Sequence, residues 1–451
     1  MGATTEPNPQ EPMFEVEDLS SVLPMTAQVV DGRLKIGGVD MAKLARERGT
    51  ALYVMDEAHI RNQLREYVKW TTFHWSECET IFAGKAFMSV AMCRLVAQEG
   101  CALDVSSGGE LAFAQAAEFP MERIYVHGNN KTMLELHEAI RAGVGRIVVD
   151  SFEELGRISC IAQEMGVEQG ILLRITPGIR PDTHGYIQTG QNDSKFGFGL
   201  NHGLAMEAVR RAVDLPGIDF AGLHMHIGSQ IFALQSYAKA IEVIVHFMDD
   251  IKRETGAAVR ELDTGGGLGI AYGLPDEPST VEQYGKIIVD GIKEHVEAHD
   301  LPVPKIMVEP GRSIVANAGV TLYTAGTIKD VRDIRTYVAV DGGMTDNIRT
   351  ALYDAHYEVL VAEKADQARS EVVTIAGKHC ETGDLIARDV RVQPIAVGDI
   401  VCVCSTGAYC QSMASNYNKQ VRPAVVFVAD GESRVVVRRE TYDDLLRCEE
   451  G

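Results

Sequence analysis

One alternation constrains what this chain can fold into more than any other feature. Between about residue 79 and residue 310, short apolar runs alternate with longer amphipathic stretches, the pattern of βα units laid around a parallel sheet. Eight such runs are legible: Thr80–Ala83, Ala102–Val105, Ile124–Val126, Arg146–Val149, Ile171–Ile175, Phe220–His226, Arg260–Asp263 and Lys305–Val308. Helical spacing fills the gaps. Met88, Met92, Leu95 and Val96 share a face before Gly100, and Met133, Leu136 and Ile140 repeat the spacing before Gly143, where glycine suits the left-handed residue that ends a helix. Eight strands with alternating helices predict a closed (β/α)8 barrel of the TIM type. Such a barrel places its reactive side chains just beyond the C-terminal ends of its strands. In order, those ends carry Lys85, Asp104 with Ser106, His127, Asp150, Arg174, His226 with Ser229, the Gly265-Gly266-Gly267 run, and Glu309. A doubly wound open sheet would also put polar residues there, but the strand count favours closure.

After about Asn317 the texture changes to β-branched runs divided by turn residues: Thr336–Val340, Val372–Ala376, Ile400–Cys404, Ala424–Val428 and Arg434–Arg438. No long helical pattern intervenes, so residues 317–451 are predicted to form a C-terminal, mostly antiparallel β domain. Two earlier strand-like runs, Gln28–Ile36 and Ala51–Met55, are expected to pair with it. Residues 28–56 would then join the β domain and residues 57–316 would form the barrel.

The chain's 451 residues, 45% of them hydrophobic and 24% charged, describe a globular protein of two or three domains. A formal charge of −21 repels polyanions, which argues against nucleic acid and anionic membrane as partners. No run approaches the ~18 apolar residues of a membrane span. Residues 1–27 carry acids and prolines without a basic start or an apolar block, and are expected to be a flexible tail on a cytoplasmic protein. The 9 cysteines are odd in number and never spaced C-x-x-C, which suggests reduced thiols rather than a disulfide framework or a zinc cage.

Lys85 lies in FAGKAF, beside small residues that leave room for a ligand. A lysine in a barrel mouth is expected to be desolvated, which lowers its pKa and makes the amine a nucleophile for Schiff-base formation. The alternative is a solvated lysine at a loop start. The Gly265–Gly267 run follows strand seven, where barrels often hold a phosphate, although turns need glycine too. Glu309, in Glu309-Pro310-Gly311-Arg312, needs a cation or a protonated ring nitrogen opposite it, and Arg312 or Arg174 would serve as a purely structural partner. His226 could stack on a planar ligand or pack as a core histidine. His224 and His226 share a strand face that suits a metal, but no cysteine or carboxylate accompanies them on that strand, so no metal is expected. The stretch Pro177–Gly199 is long for a βα loop and either closes over the site or merely decorates the surface. Its Lys195 is a rival Schiff-base lysine. Taken together, a lysine, a phosphate loop and a buried acid suit pyridoxal 5'-phosphate.

The segments FAGKAF, LDVSSGGEL, HGNNK, KFG, GLHMHIGSQIF, DTGGGLGI, VEPGRSI, DGGMTDNIRTALY, GKHCETGD and GAYC carry a further signal. In that order they resemble the fold-type III pyridoxal-phosphate decarboxylases, and within them the diaminopimelate decarboxylases, over about residues 28 to 445. Ala-Phe follows the lysine where the family more often has Ala-Asn. The resemblance implies an alanine racemase/ornithine decarboxylase-like fold, a barrel followed by a β domain. It assigns Lys85 as the Schiff-base lysine, His226 as the residue stacked on the ring and Glu309 as the partner of the ring nitrogen. Asp104, Ser229, Gly266, Gly267, Gly311, Arg312 and Tyr409 complete the expected cofactor contacts. Arg312, Arg349, Tyr353, Glu381 and Tyr409 match substrate-contacting positions. Cys380 matches a proton donor delivered from the second subunit of a homodimer. The activity so implied is decarboxylation of meso-2,6-diaminopimelate to L-lysine and CO2, the last step of lysine biosynthesis.

Charge supports that reading. An acid at Glu309 keeps a ring nitrogen protonated and favours decarboxylation, whereas an arginine there would favour racemisation. The far end of diaminopimelate carries both an ammonium and a carboxylate, which Glu381 and the Arg349–Arg312 pair can match. Ornithine or arginine would need only acids there. A non-catalytic relative should lack Lys85, Glu309 or Cys380, and a cofactor-free Schiff-base aldolase would be colourless.

Overall fold

The computed structural model describes residues 19–75, 77–179 and 194–450. Eight parallel strands close into a barrel: Cys78–Ala83, Ala102–Val105, Ile124–Val126, Arg146–Val149, Gln169–Thr176, Ile218–Met225, Glu261–Asp263 and Lys305–Val308. Each pairs with the next, and Lys305–Val308 returns to Cys78–Ala83. Most of the tail expected over residues 1–27 lies outside the described residues, as does most of the Pro177–Gly199 loop.

Local chemistry sets the helices between these strands. Ser89, Ser107, Thr132 and Ser151 each cap a helix by accepting a backbone N–H, and such a cap contributes about 1 kcal/mol. Leu136, Ala139 and Ile140 bury the inner face of Met133–Ala142, which ends at Gly143 in the left-handed conformation, φ 76°. Met133 turns outward, because as the first helical residue it sits beyond the packed stripe.

The β-branched runs build a second, nine-stranded sheet. Its spine is Gly319–Val331, a 13-residue strand that pairs antiparallel with Leu52–Asp56, Arg335–Val340 and Ile400–Val403. Leu52–Asp56 in turn runs parallel to Ala424–Ala429. All five residues of Leu52–Asp56 are buried. The sequence reading missed Gly319–Val331 and Leu385–Val392, whose outer halves are exposed and polar and therefore lack an apolar run. One pairing differs from expectation. Gln28–Ile36 folds back as a hairpin, Gln28–Val30 on Arg33–Ile36, and joins Val39–Asp40 in its own three-stranded sheet. The Asp31-Gly32 turn, with φ of 52° and 74°, reverses the chain there, as such turns do.

The two halves meet backbone to backbone. A side chain at Gly407 would collide with the Val315 carbonyl. Its N–H donates to the Ala316 carbonyl at 3.1 Å, and the Tyr409 N–H donates to the Ala86 carbonyl at 2.8 Å. That contact fixes Tyr409 over the barrel mouth next to Lys85.

Candidate active site

Inside the barrel, Ile81, Ala102, Tyr125, Val148, Leu172, Ala221 and Met307 form a buried apolar cluster. Side chains alternate across a strand, so the residue two positions on points inward one layer higher. Two steps beyond Ala102, Tyr125, Val148, Leu172 and Met307 stand Asp104, His127, Asp150, Arg174 and Glu309, all buried. From Ile81 the same count passes Ala83 and reaches Lys85 at the rim of the cavity. A bulge between Phe220 and Gly222 shifts the register of the sixth strand, which contributes His224 and His226. A ring of titratable groups thus rests on an apolar floor.

Glu309 does not pair with Arg312 or Arg174, the structural partners weighed from sequence. His224 Nε2 lies 3.1 Å from Glu309 Oε2, and His127 Nε2 lies 2.7 Å from Oε1. Arg312 donates instead to the Tyr272 hydroxyl at 2.6 Å and to Ser229 Oγ at 3.0 Å, while Arg174 sits 4.0 Å from Asp150 and over the Phe196 ring. Burial pushes the Glu309 carboxyl up, but the two imidazoles outweigh it and hold the group well below the ordinary range. Burial pulls the His224 ring down to about 4, so that ring meets the carboxylate as a neutral donor. The carboxylate that the sequence of the sixth strand lacks therefore arrives from the eighth, and His127, His224 and Glu309 bring ligand atoms within 4.8 Å of one another.

Lys85 departs from expectation in its proton affinity. Burial lowers it, yet the facing charges of Asp104, Tyr409 and Glu309 more than compensate and hold the amine above the ordinary lysine value. Desolvation drives the His226 ring well down, reinforced by Lys85 and Arg174. The neutral ring accepts from the Gly266 N–H at 3.4 Å.

Lys85, His226, Ser229, Gly267, Glu309, Gly311, Arg312 and Tyr409 line one cavity. Gly265 and Gly267 adopt φ of 70° and 108°, values that favour glycine. A side chain at Gly266 would collide with the Glu309 carbonyl, and one at Gly267 with the Gly228 carbonyl. Two buried atoms of this cavity have no hydrogen-bond partner in line: Glu309 Oε1, whose contact with His127 is off axis, and Arg312 Nε. An unfilled acceptor on the floor and an unfilled cationic donor at the rim fit a pyridinium N–H and a phosphate, respectively, so the residues present suit pyridoxal phosphate.

Above the cavity, arginines and tyrosines interleave. Arg312 and Arg349 stand 4.8 Å and 5.5 Å from the Tyr409 ring centre, and Arg349 also faces Tyr353 at 5.4 Å. Tyr357 receives the Arg349 Nε–H at 2.9 Å. Tyr272 and Tyr357 were not singled out from the sequence. They fix arginines reached only through the fold, and neither sits in a pattern that marks it. Cys380 and Glu381 are exposed on the β domain and do not line the Lys85 cavity of their own chain. Lys195 also lies away from that cavity, its amine 4.9 Å from the Phe196 ring centre.

The family described as "Pyridoxal-dependent decarboxylase, pyridoxal binding domain" matches residues 57–316. Diaminopimelate decarboxylase of Bacillus subtilis (strain 168) is 46% identical over 418 residues, covering 93% of this chain and 95% of the relative. The chain belongs to this family of pyridoxal-dependent decarboxylases. Diaminopimelate decarboxylase of Mycobacterium tuberculosis is 44% identical over 93% of this chain and 95% of its own length. Among solved structures, the crystal structure of diaminopimelate decarboxylase from M. jannaschii superposes with a TM-score of 0.89 at 34% identity, covering 95% of this chain and 98% of that one. That structure thus shares with this chain both the barrel and the sheet domain. The cofactor is pyridoxal phosphate, and the protein is a decarboxylase.

Proposed function

We propose that this decarboxylase converts meso-2,6-diaminopimelate to L-lysine and CO2, the final step of lysine biosynthesis. The observation that carries the substrate is the paired arginines, Arg312 and Arg349, ranged over Tyr409 at the mouth. A substrate with carboxylates at both ends needs forked cations. Relatives named for this reaction agree, as does one solved relative described as a complex with L-lysine.

When bound, pyridoxal phosphate supplies the electron sink for the pair released as CO2 leaves. The surrounding residues prepare that sink. Glu309 keeps a negative charge on the barrel floor and so retains the proton on a ring nitrogen at Oε1. His226 offers a flat neutral face, and Ser229, Gly267, Gly311, Arg312 and Tyr409 hold the phosphate side. Lys85 carries the cofactor between turnovers, and Asp104 balances its charge. Arg349, with Tyr353, orients the far carboxylate. Cys380 returns a proton to the substrate carbon, and Glu381 meets the far ammonium. Because Cys380 and Glu381 are exposed and do not line their own cavity, they are assigned to the mouth of a second copy in a homodimer.

Side-by-side measurement of CO2 release from meso-diaminopimelate, ornithine and arginine tests the reading. Release from the first alone is expected. Faster release from ornithine or arginine would replace the assigned substrate.

A further inference from the structure

Eight strand ends bring an unusual density of charge to one floor. Facing Glu309 from the other seven are Lys85, Asp104, His127, Asp150, Arg174, His224 with His226, and Asp263. Two of these groups, Asp104 and Asp263, are fully enclosed carboxyls with few donors. Asp104 has a 3.5 Å contact from Ser106 Oγ and an unpaired Oδ2. Asp263 accepts the Gly265 N–H at 2.8 Å, and its side chain also meets the Glu309 carboxyl. Glu309 alone has an imidazole nitrogen beside each oxygen. The two rings brace each other edge to face, with centres 5.0 Å apart and planes at 71°.

Closely packed buried carboxyls cannot all ionise, because like charges in a dry site raise one another's proton affinity. Burial and the charge on Glu309 raise Asp263, and burial raises Asp104, whereas Glu309 moves the other way. We infer that His127 and His224 are positioning residues that decide which buried acid carries the negative charge, holding Glu309 ionised and aimed while Asp263 stays protonated. Without them Glu309 takes up a proton as well. A neutral acid at that place no longer holds a proton on a ring nitrogen. The inference rests on Glu309 as the partner of that nitrogen, and the measurements below separate the two claims.

Infrared spectra of the protein freed of cofactor, at neutral pH, report protonated carboxyl groups directly. Beyond the Asp263 signal already present in wild type, the double variant His127→Leu/His224→Leu is expected to gain a second protonated-carboxyl band, and it is this band that disappears when Glu309→Gln is added. The milder pair His127→Asn/His224→Gln keeps side-chain N–H donors and is expected to lack the band and to bind pyridoxal phosphate within about threefold of wild type. The leucine pair is expected to bind roughly tenfold more weakly, about 1.4 kcal/mol. A folded leucine pair without the band, or with the band unchanged by Glu309→Gln, overturns the inference. If the leucine pair does not fold, single His224→Leu and single His127→Leu decide by the same band, and its absence from both overturns the inference. Separately, titrating the Glu309→Gln protein with pyridoxal phosphate while following its absorbance tests the ring-nitrogen assignment. An unaltered pH dependence of the bound spectrum would refute that assignment and leave the infrared result standing.

Discussion

Arg349 donates its Nε–H to the Tyr357 hydroxyl at 2.9 Å, and that hydroxyl lies 3.9 Å from Cys410 Sγ. A buried arginine is thereby pinned from behind, which leaves its outer nitrogens free for a carboxylate. Arg349→Ala should lower kcat/KM for meso-diaminopimelate by roughly 2–4 kcal/mol of transition-state binding. Tyr357→Phe removes only the brace and should cost about 1 kcal/mol, mostly in KM. Steady-state kinetics decide both, and unchanged values for Arg349→Ala would remove it from the site.

Lys85, rather than Lys195, should carry the cofactor. Borohydride reduction of the loaded protein followed by peptide mapping is expected to place the label on the FAGKAF peptide. Label on Lys195 alone would contradict the cavity in which Lys85 faces Glu309 and His226.

The exposed position of Cys380 predicts complementation between chains. Lys85→Ala and Cys380→Ala proteins should each be nearly inactive. Mixed in equal amounts under subunit exchange, they should recover about a quarter of wild-type activity, since half the dimers then hold one intact site of two. No recovery, with exchange demonstrated, would mean that each chain completes its own site.

Asp346 offers a pH test of stability. Burial raises its carboxyl from 3.8 to about 7. A folded-state value above the unfolded one means that this group favours the fold at low pH. The advantage shrinks as pH climbs from about 4 to about 7 and is gone above that, for a total of up to ~4 kcal/mol. Between pH 5 and pH 8 the wild type should therefore lose more melting temperature than Asp346→Asn. Parallel melting curves would count against this account.

Much of this molecule is legible from residue order because a barrel is built from local rules. Four of the eight strands, Ala102–Val105, Ile124–Val126, Arg146–Val149 and Lys305–Val308, match the apolar runs residue for residue. Asp104, His127, Asp150, Arg174 and Glu309 each stand two residues beyond a buried floor residue. What stays hidden is pairing across the barrel. Nothing near Glu309 in the chain announces His127, 182 residues earlier, and the nearer cation Arg312 looks the better partner until Tyr272 and Ser229 claim it. The raised affinity of Lys85 for its proton is likewise a sum over Asp104, Tyr409 and Glu309, which only the closed ring brings together. Long strands with one wet end, such as Gly319–Val331, escape an apolar search for the opposite reason: half of their length is exposed and largely polar.

Leu52–Asp56 lies between Gly319–Val331 and Ala424–Ala429, so one strand pairs with two segments made hundreds of residues after it. On the ribosome it emerges among the first elements, yet its second neighbour is translated almost last. A nascent chain halted after the barrel leaves five buried-type residues, LYVMD, as an open edge that invites aggregation. Truncations that remove Ala424–Ala429 should therefore harm yield more than their distance from Lys85 suggests.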